Sequence, residues 1–144
     1  MLAPVAAARA LAVLLAAQRL GLGFDGRVQV TSPSPLPVLA QGELSVTILD
    51  TPVDVSLLSV RLSAAEVVLP ENRLGARDIV DPQASQPRVR ARFVAPAVPG
   101  RYEVEGLVEY VTCDAERCRP RRSRVVWVVE VTELPGDETL AGRA

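Results

Sequence analysis

From Gly26 onward, apolar residues recur at every second position or gather in short Val-rich runs, the periodicity of β-strands with one face buried. Strands are predicted over 27–32 (RVQVTS), 43–49 (ELSVTIL) and 55–62 (VSLLSVRL), with a short one over 66–69. A loop follows over 70–87. The alternation is plainer after it. Over 88–95, Val89, Ala91 and Phe93 take one face and Arg88, Arg90 and Arg92 the other, which predicts a solvated arginine face. Over 101–111, Tyr102, Val104, Val108 and Tyr110 point inward, and Arg101, Glu103, Glu105 and Glu109 outward. Over 124–132, Val125, Trp127, Val129 and Val131 share a face, with Trp127 expected in the core. Pro-rich turns separate these runs: Ser32–Pro37 and Pro96–Gly100.

About seven short strands with turns between them predict an all-β fold, an immunoglobulin-like antiparallel β-sandwich. The last two long strands form a hairpin, because only about a dozen residues separate Val111 from Arg124. Ahead of the sandwich, residues 1–23 are rich in Ala and Leu. Two readings of this segment stand side by side. It is a retained packing helix opened by Pro4, or a signal-like segment whose apolar part, residues 10–17, is too short to span a bilayer. The chain therefore divides into an N-terminal apolar segment (1–23), a sandwich (24–132) and a polar tail (133–144).

Composition narrows the chemistry. With 144 residues, 49% hydrophobic and 23% charged, the chain has enough apolar surface for a packed core. No histidine is present, which excludes Ser-His-Asp and Cys-His catalysis and histidine metal sites. Every basic residue is arginine, so lysine Schiff bases are excluded too. A formal net charge of −1 gives no global attraction to nucleic acid, and Trp127 alone lies near the arginine cluster for base stacking. What remains is a pair of cysteines.

Cys113 and Cys118 lie near the tip of the predicted hairpin, where neighbouring strands would bring them within disulfide range. Arg117, Arg119, Arg121, Arg122 and Arg124 surround Cys118, with Asp114 and Glu116 set against them. Guanidinium groups near a thiol stabilise its thiolate, and Arg117 and Arg119 are the candidate pKa-tuning residues. Two readings of the pair are open. It is a redox-active dithiol/disulfide, or it is a structural clip in a non-catalytic binding or scaffolding sandwich. A loop this short yields only about 2 kcal/mol as a staple, which leans toward the redox reading.

The stretch Tyr110-Val-Thr-Cys113-Asp-Ala-Glu-Arg-Cys118-Arg-Pro120 carries more. It is preceded by Pro99-Gly100-Arg-Tyr102-Glu-Val104-Glu-Gly106 and followed by Val125-Val-Trp-Val-Val-Glu-Val131. Together these resemble the N-terminal domain of the thiol:disulfide interchange protein DsbD family: a Pro-Gly turn, a strand ending in Tyr-x-x-Cys, then Cys-x-Pro and a Val-rich strand. The resemblance spans roughly 27–132 and is strongest over 98–131. It implies a periplasmic or cell-envelope domain whose cysteines pass electrons between thioredoxin-like partners without a prosthetic group. In such a domain Cys118 would form the mixed disulfide and Cys113 would resolve it. Three features depart from the family. The membrane segment and thioredoxin-like domain that recharge the pair are expected on a separate electron-transfer protein. The phenylalanines, Phe24 and Phe93, do not fall where the family's aromatic cap lies. Arg121 stands where the family often repeats proline.

Overall fold

The fold is that of a computed structural model, which describes residues 25–134. The segment 1–23, Phe24 and most of the polar tail lie outside the described residues. Eight strands form two sheets: β1 (Val28–Thr31), β2 (Leu36–Pro37), β3 (Gln41–Ile48), β4 (Ser59–Ser63), β5 (Arg73–Leu74), β6 (Arg88–Val94), β7 (Gly100–Cys113) and β8 (Cys118–Thr132). One sheet has the order β1-β3-β6 and the other β2-β8-β7-β4-β5. Every pairing is antiparallel except the two-residue contact of β2 with β8. This is the strand arrangement of an immunoglobulin sandwich, with A, B and E in one sheet and G, F, C and a C′-like strand in the other. The all-β antiparallel sandwich read from the alternation is the observed fold.

Alternation produces the core. The inward side chains of β7 and β8 (Val104, Val108, Tyr110, Trp127 and Val129) pack against Leu44, Val46, Ile48, Val89 and Phe93 of the facing sheet. Two glycines make room for the largest rings. A Cβ on Gly106 would come within 2.7 Å of the Trp127 ring, and one on Gly42 within 2.5 Å of Phe93. The buried Trp127 indole N–H donates to the Ser45 carbonyl at 2.8 Å, a hydrogen bond from one sheet to the other. The hydroxyl of Tyr102, near the start of β7, donates to the Val98 carbonyl at 2.5 Å and closes the turn before the strand, as a tyrosine corner does.

Several predicted elements are redrawn. Residues 55–62 do not form one strand. Val55–Leu57 is a 3-10 turn whose preceding Asp54 side chain accepts from the Ser56 N–H, and the strand begins at Ser59. Val55 and Leu58 pack toward the core while Leu57 between them is exposed, a spacing of three that fits a 3-10 turn and not a strand. The short strand over 66–69 reduces to one bridge, Val68 with Val94. The loop over 70–87 contains β5 and a second 3-10 turn, Ala76–Asp78. Finally, the strands flanking the cysteines do not stop at Val111 and Arg124. They continue to the cysteines themselves.

Candidate functional site

The site is the tip of the β7–β8 hairpin. Fourteen residues of β7 pair in unbroken register with β8, from Gly100 opposite Val131 to Cys113 opposite Cys118. The two cysteines form a disulfide with their Cα atoms 3.9 Å apart. The Asp114 N–H donates to the Arg117 carbonyl at 2.9 Å, which makes that pair hydrogen-bonded and the cysteine pair a non-hydrogen-bonded one. In antiparallel ladders such positions bring side chains closest, so the register itself delivers the two sulfurs to each other.

The turn closes on its own chemistry. Asp114 Oδ1 accepts from the N–H groups of Glu116 and Arg117, both at 2.8 Å, an Asx turn that reverses the chain in four residues. Those two N–H groups hold the Asp114 carboxyl below its usual range, with smaller help from Arg119 and Arg121. Asp114 is thus the turn-builder rather than merely a counter-charge for the arginines, a role that its place right after Cys113 could have suggested.

Below the tip the hairpin is tied to the body. The Tyr110 hydroxyl accepts from the Arg27 N–H at 2.9 Å and donates to Asp50 Oδ2 at 2.5 Å. Burial, the Asp50 hydrogen bond and the Asp50 charge push this phenol up to about 12. Arg121 donates from Nε to Thr112 Oγ1 and from Nη1 to Asp25 Oδ2, both at 3.0 Å. The Gly26 N–H donates to the Arg122 carbonyl at 2.7 Å, and the Val53 N–H to the Val111 carbonyl at 2.9 Å. The contacts of Tyr110 with Arg27 and Asp50, and of Arg121 with Asp25, are not foreshadowed by the alternation. The one signal was Tyr110, because a buried tyrosine ring brings a hydroxyl that needs a partner.

The pleat sorts the arginines. Even-numbered residues of β8 from Cys118 take the outward face, so Pro120, Arg122 and Arg124 share the side of the Cys118 sulfur. Arg119 and Arg121 fall on the opposite, core-side face, beyond the end of the sandwich. Arg117 sits in the turn itself. A depression of about 340 Å³ lies beside the tip, bordered by Asp50, Thr112, Cys113, Arg117, Arg119 and Arg121. Cys113 and Cys118 are both exposed, so exposure class does not separate the two sulfurs. Phe93 is fully buried between the sheets and cannot cap them. Among the described residues no cluster of acidic or cysteine side chains has the makings of a metal site, and no helix is long and apolar enough to cross a membrane.

No protein-family model matches the chain, and no curated protein matches it. Among solved structures, it is similar to AggA, the major subunit of aggregative adherence fimbriae type I from Escherichia coli. That match has 12% identity and a TM-score of 0.35, and covers 76% of this chain and 96% of AggA. It is also similar to a family 123 glycoside hydrolase from Clostridium perfringens, again at 12% identity. The TM-score there is 0.29, over 76% of this chain and 27% of the hydrolase.

Proposed function

We propose that the chain is a thiol–disulfide exchange module whose Cys113–Cys118 pair passes electrons between thioredoxin-fold partners. One observation carries this reading: the disulfide is exposed and closes a loop that is already closed without it. Asp114 holds the turn, and the ladder below is tied down as far as Thr112 and Arg121. A staple here adds at most about 2 kcal/mol by loop closure. The pair can therefore open and close while the sandwich stays folded, as a redox pair must. The resemblance of 98–131 to the DsbD N-terminal domain supports the same reading, and with it an oxidising compartment in the periplasm or cell envelope.

The exchange balances simply. A partner thiolate attacks Sγ of Cys118, the S–S bond breaks, and Sγ of Cys113 leaves as a thiolate and takes up a proton. The partner's second thiol then displaces Cys118, which leaves the partner oxidised and the pair reduced. In the reverse direction Cys118 attacks the next partner's disulfide and Cys113 resolves it. Both cysteines are exposed, so the choice of Cys118 as the attacked sulfur rests on the resemblance. Arg117 and Arg119 supply the positive field that favours thiolate at Cys118. By the pleat, Arg117 in the turn carries more of it than Arg119 on the opposite face.

Trapping tests the reading. Cys113→Ser is expected to accumulate a mixed disulfide with a thioredoxin-like protein, and Cys118→Ser to accumulate little. The wild-type pair is expected to have a reduction potential above about −300 mV, within reach of biological dithiols. Equal trapping by both variants would reverse or erase the assigned roles. No trapping, with a disulfide that resists strong dithiols, would make the pair a structural clip in a scaffold or binding domain.

A further inference from the structure

The outward face of the larger sheet carries its charges in a cross. Pairing places Arg61 of β4 and Arg124 of β8 on either side of Leu107 of β7. Glu105 and Glu109, two residues before and after Leu107, share its face because side chains alternate along the strand. The arginines therefore stand about 5 Å to either side of Leu107, and the glutamates about 7 Å above and below it. Among the described residues, Arg61, Glu105 and Glu109 are held in no ion pair.

One diagonal of the cross is apolar. Val126, opposite Glu105, is 45% exposed although it lies well inside a long strand. Val126 and Leu107 border a shallow depression of about 340 Å³, with Arg61, Glu105 and Arg124 around it. The remaining corners are polar: Ser59 and Ser63 on β4, and Arg122 on β8. Single exposed aliphatic residues are ordinary on surfaces, but here two adjoin at the centre of a balanced charge pattern.

A uniformly acidic surface laid on this face would meet its own sign at the glutamates, and a basic one at the arginines. A surface with the same cross, rotated by a quarter turn, meets the opposite sign at all four points. The face itself is such a surface. A two-fold axis in the contact plane, at about 45° to the strands, makes the strands of two copies cross at about 90°, a stable way for sheets to pack. It carries the glutamates of each copy onto the arginines of the other. Two diagonals offer such an axis. The one through Leu107 and Val126 stacks both residues on their counterparts, and pairs Glu109 with Arg61 and Glu105 with Arg124 across the contact. The other would set Val126 on Ser59.

We propose that this face binds a second copy of the chain about the Leu107–Val126 diagonal, forming a two-fold dimer. The cysteine tip stays open. Cys113 lies about 20 Å from Leu107 along β7, whereas the second copy's last strand, its β5, reaches about 10 Å. The proposal is independent of the exchange reading.

The test is sedimentation of the full chain from about 1 μM to about 1 mM, the span in which a modest interface dissociates. A monomer–dimer equilibrium is expected for the wild type. Arg61→Glu is expected to weaken the dimer at least about tenfold, because symmetry makes each changed charge count twice. Adding Glu109→Arg to Arg61→Glu is expected to restore it, since the swapped charges meet again across the axis. Adding Glu105→Arg instead is expected not to. All three positions lie on the outward face, and near-ultraviolet circular dichroism of Trp127 checks that each variant keeps the core. A wild type that stays monomeric throughout would overturn the proposal, as would a dimer indifferent to Arg61→Glu. Failure of Glu109→Arg to rescue, or equal rescue by Glu105→Arg, would overturn it as well.

Discussion

The two halves of the β7–β8 hairpin share one ladder and rest on different supports. In the lower half Val104, Val108 and Val129 are fully buried and Trp127 is 1% exposed, with Gly106 left bare to admit the indole. In the tip, every residue from Cys113 to Pro120 is exposed. Burial holds the lower half, whereas main-chain hydrogen bonds, the Asp114 turn and the disulfide hold the tip. The contrast separates stability from chemistry. Bonds at the tip can be made and broken without exposing the core, because none of the core's apolar area lies there.

The largest effect is expected in the lower half. Trp127→Ala removes the central ring and its hydrogen bond to Ser45, and should cost about 3–5 kcal/mol in urea unfolding. A cost below about 1 kcal/mol would mean that the hairpin base is not held by burial.

An intermediate effect belongs to the junction. Tyr110→Phe keeps the ring but leaves the Arg27 N–H and Asp50 without the hydroxyl, a loss of about 1–2 kcal/mol. It also carries a pH signature. The phenol is raised from 10.0 to about 12 in the folded state, so the fold favours its protonated form. This stabilisation is complete below pH 10 and is lost as pH rises from 10 toward 12. Urea midpoints measured across that range should fall more for the wild type than for Tyr110→Phe, which narrows the difference between them. Parallel decline of the two proteins would remove Tyr110 as the cause.

The smallest effect is expected at the tip. Asp114→Ala deletes the acceptor for two turn N–H groups, so the Glu116 and Arg117 amides should exchange faster while the urea midpoint stays unmoved. Acid should do the same to the wild type. The Asp114 carboxyl is lowered in the folded state, so its contribution is present above the ordinary value of 3.8 and fades as pH falls through the lower folded one. A shifted midpoint would tie the tip to the stability of the core.

The strands that alternation predicted best are those with one face on the core. The 88–95 run is observed as Arg88–Val94, and its arginines are exposed as expected. The tip strands were missed because both of their faces meet solvent. Residues such as Thr112, Arg119 and Arg121 follow no apolar period, although their main chains are fully paired. Val55–Leu57 was overread as strand because the VSLL run is apolar without alternating, and Asp54 caps a turn there instead. The cysteine pair was legible because a hairpin needs few residues to bring Cys113 opposite Cys118.

Period-two alternation settles which side chains of β6, β7 and β8 face inward, since successive Cβ atoms leave a strand on opposite sides and water sorts them. It also settles that two cysteines share a hairpin. It says nothing of partners distant in the chain. The meeting of Tyr110 with Asp50 and Arg27, the seating of Trp127 on Ser45, and the return of the chain at Ile79 opposite Val89 are decided by how the two sheets stack. Those contacts join residues far apart along the chain, and local pattern carries no information about which distant main-chain group will lie within hydrogen-bond reach.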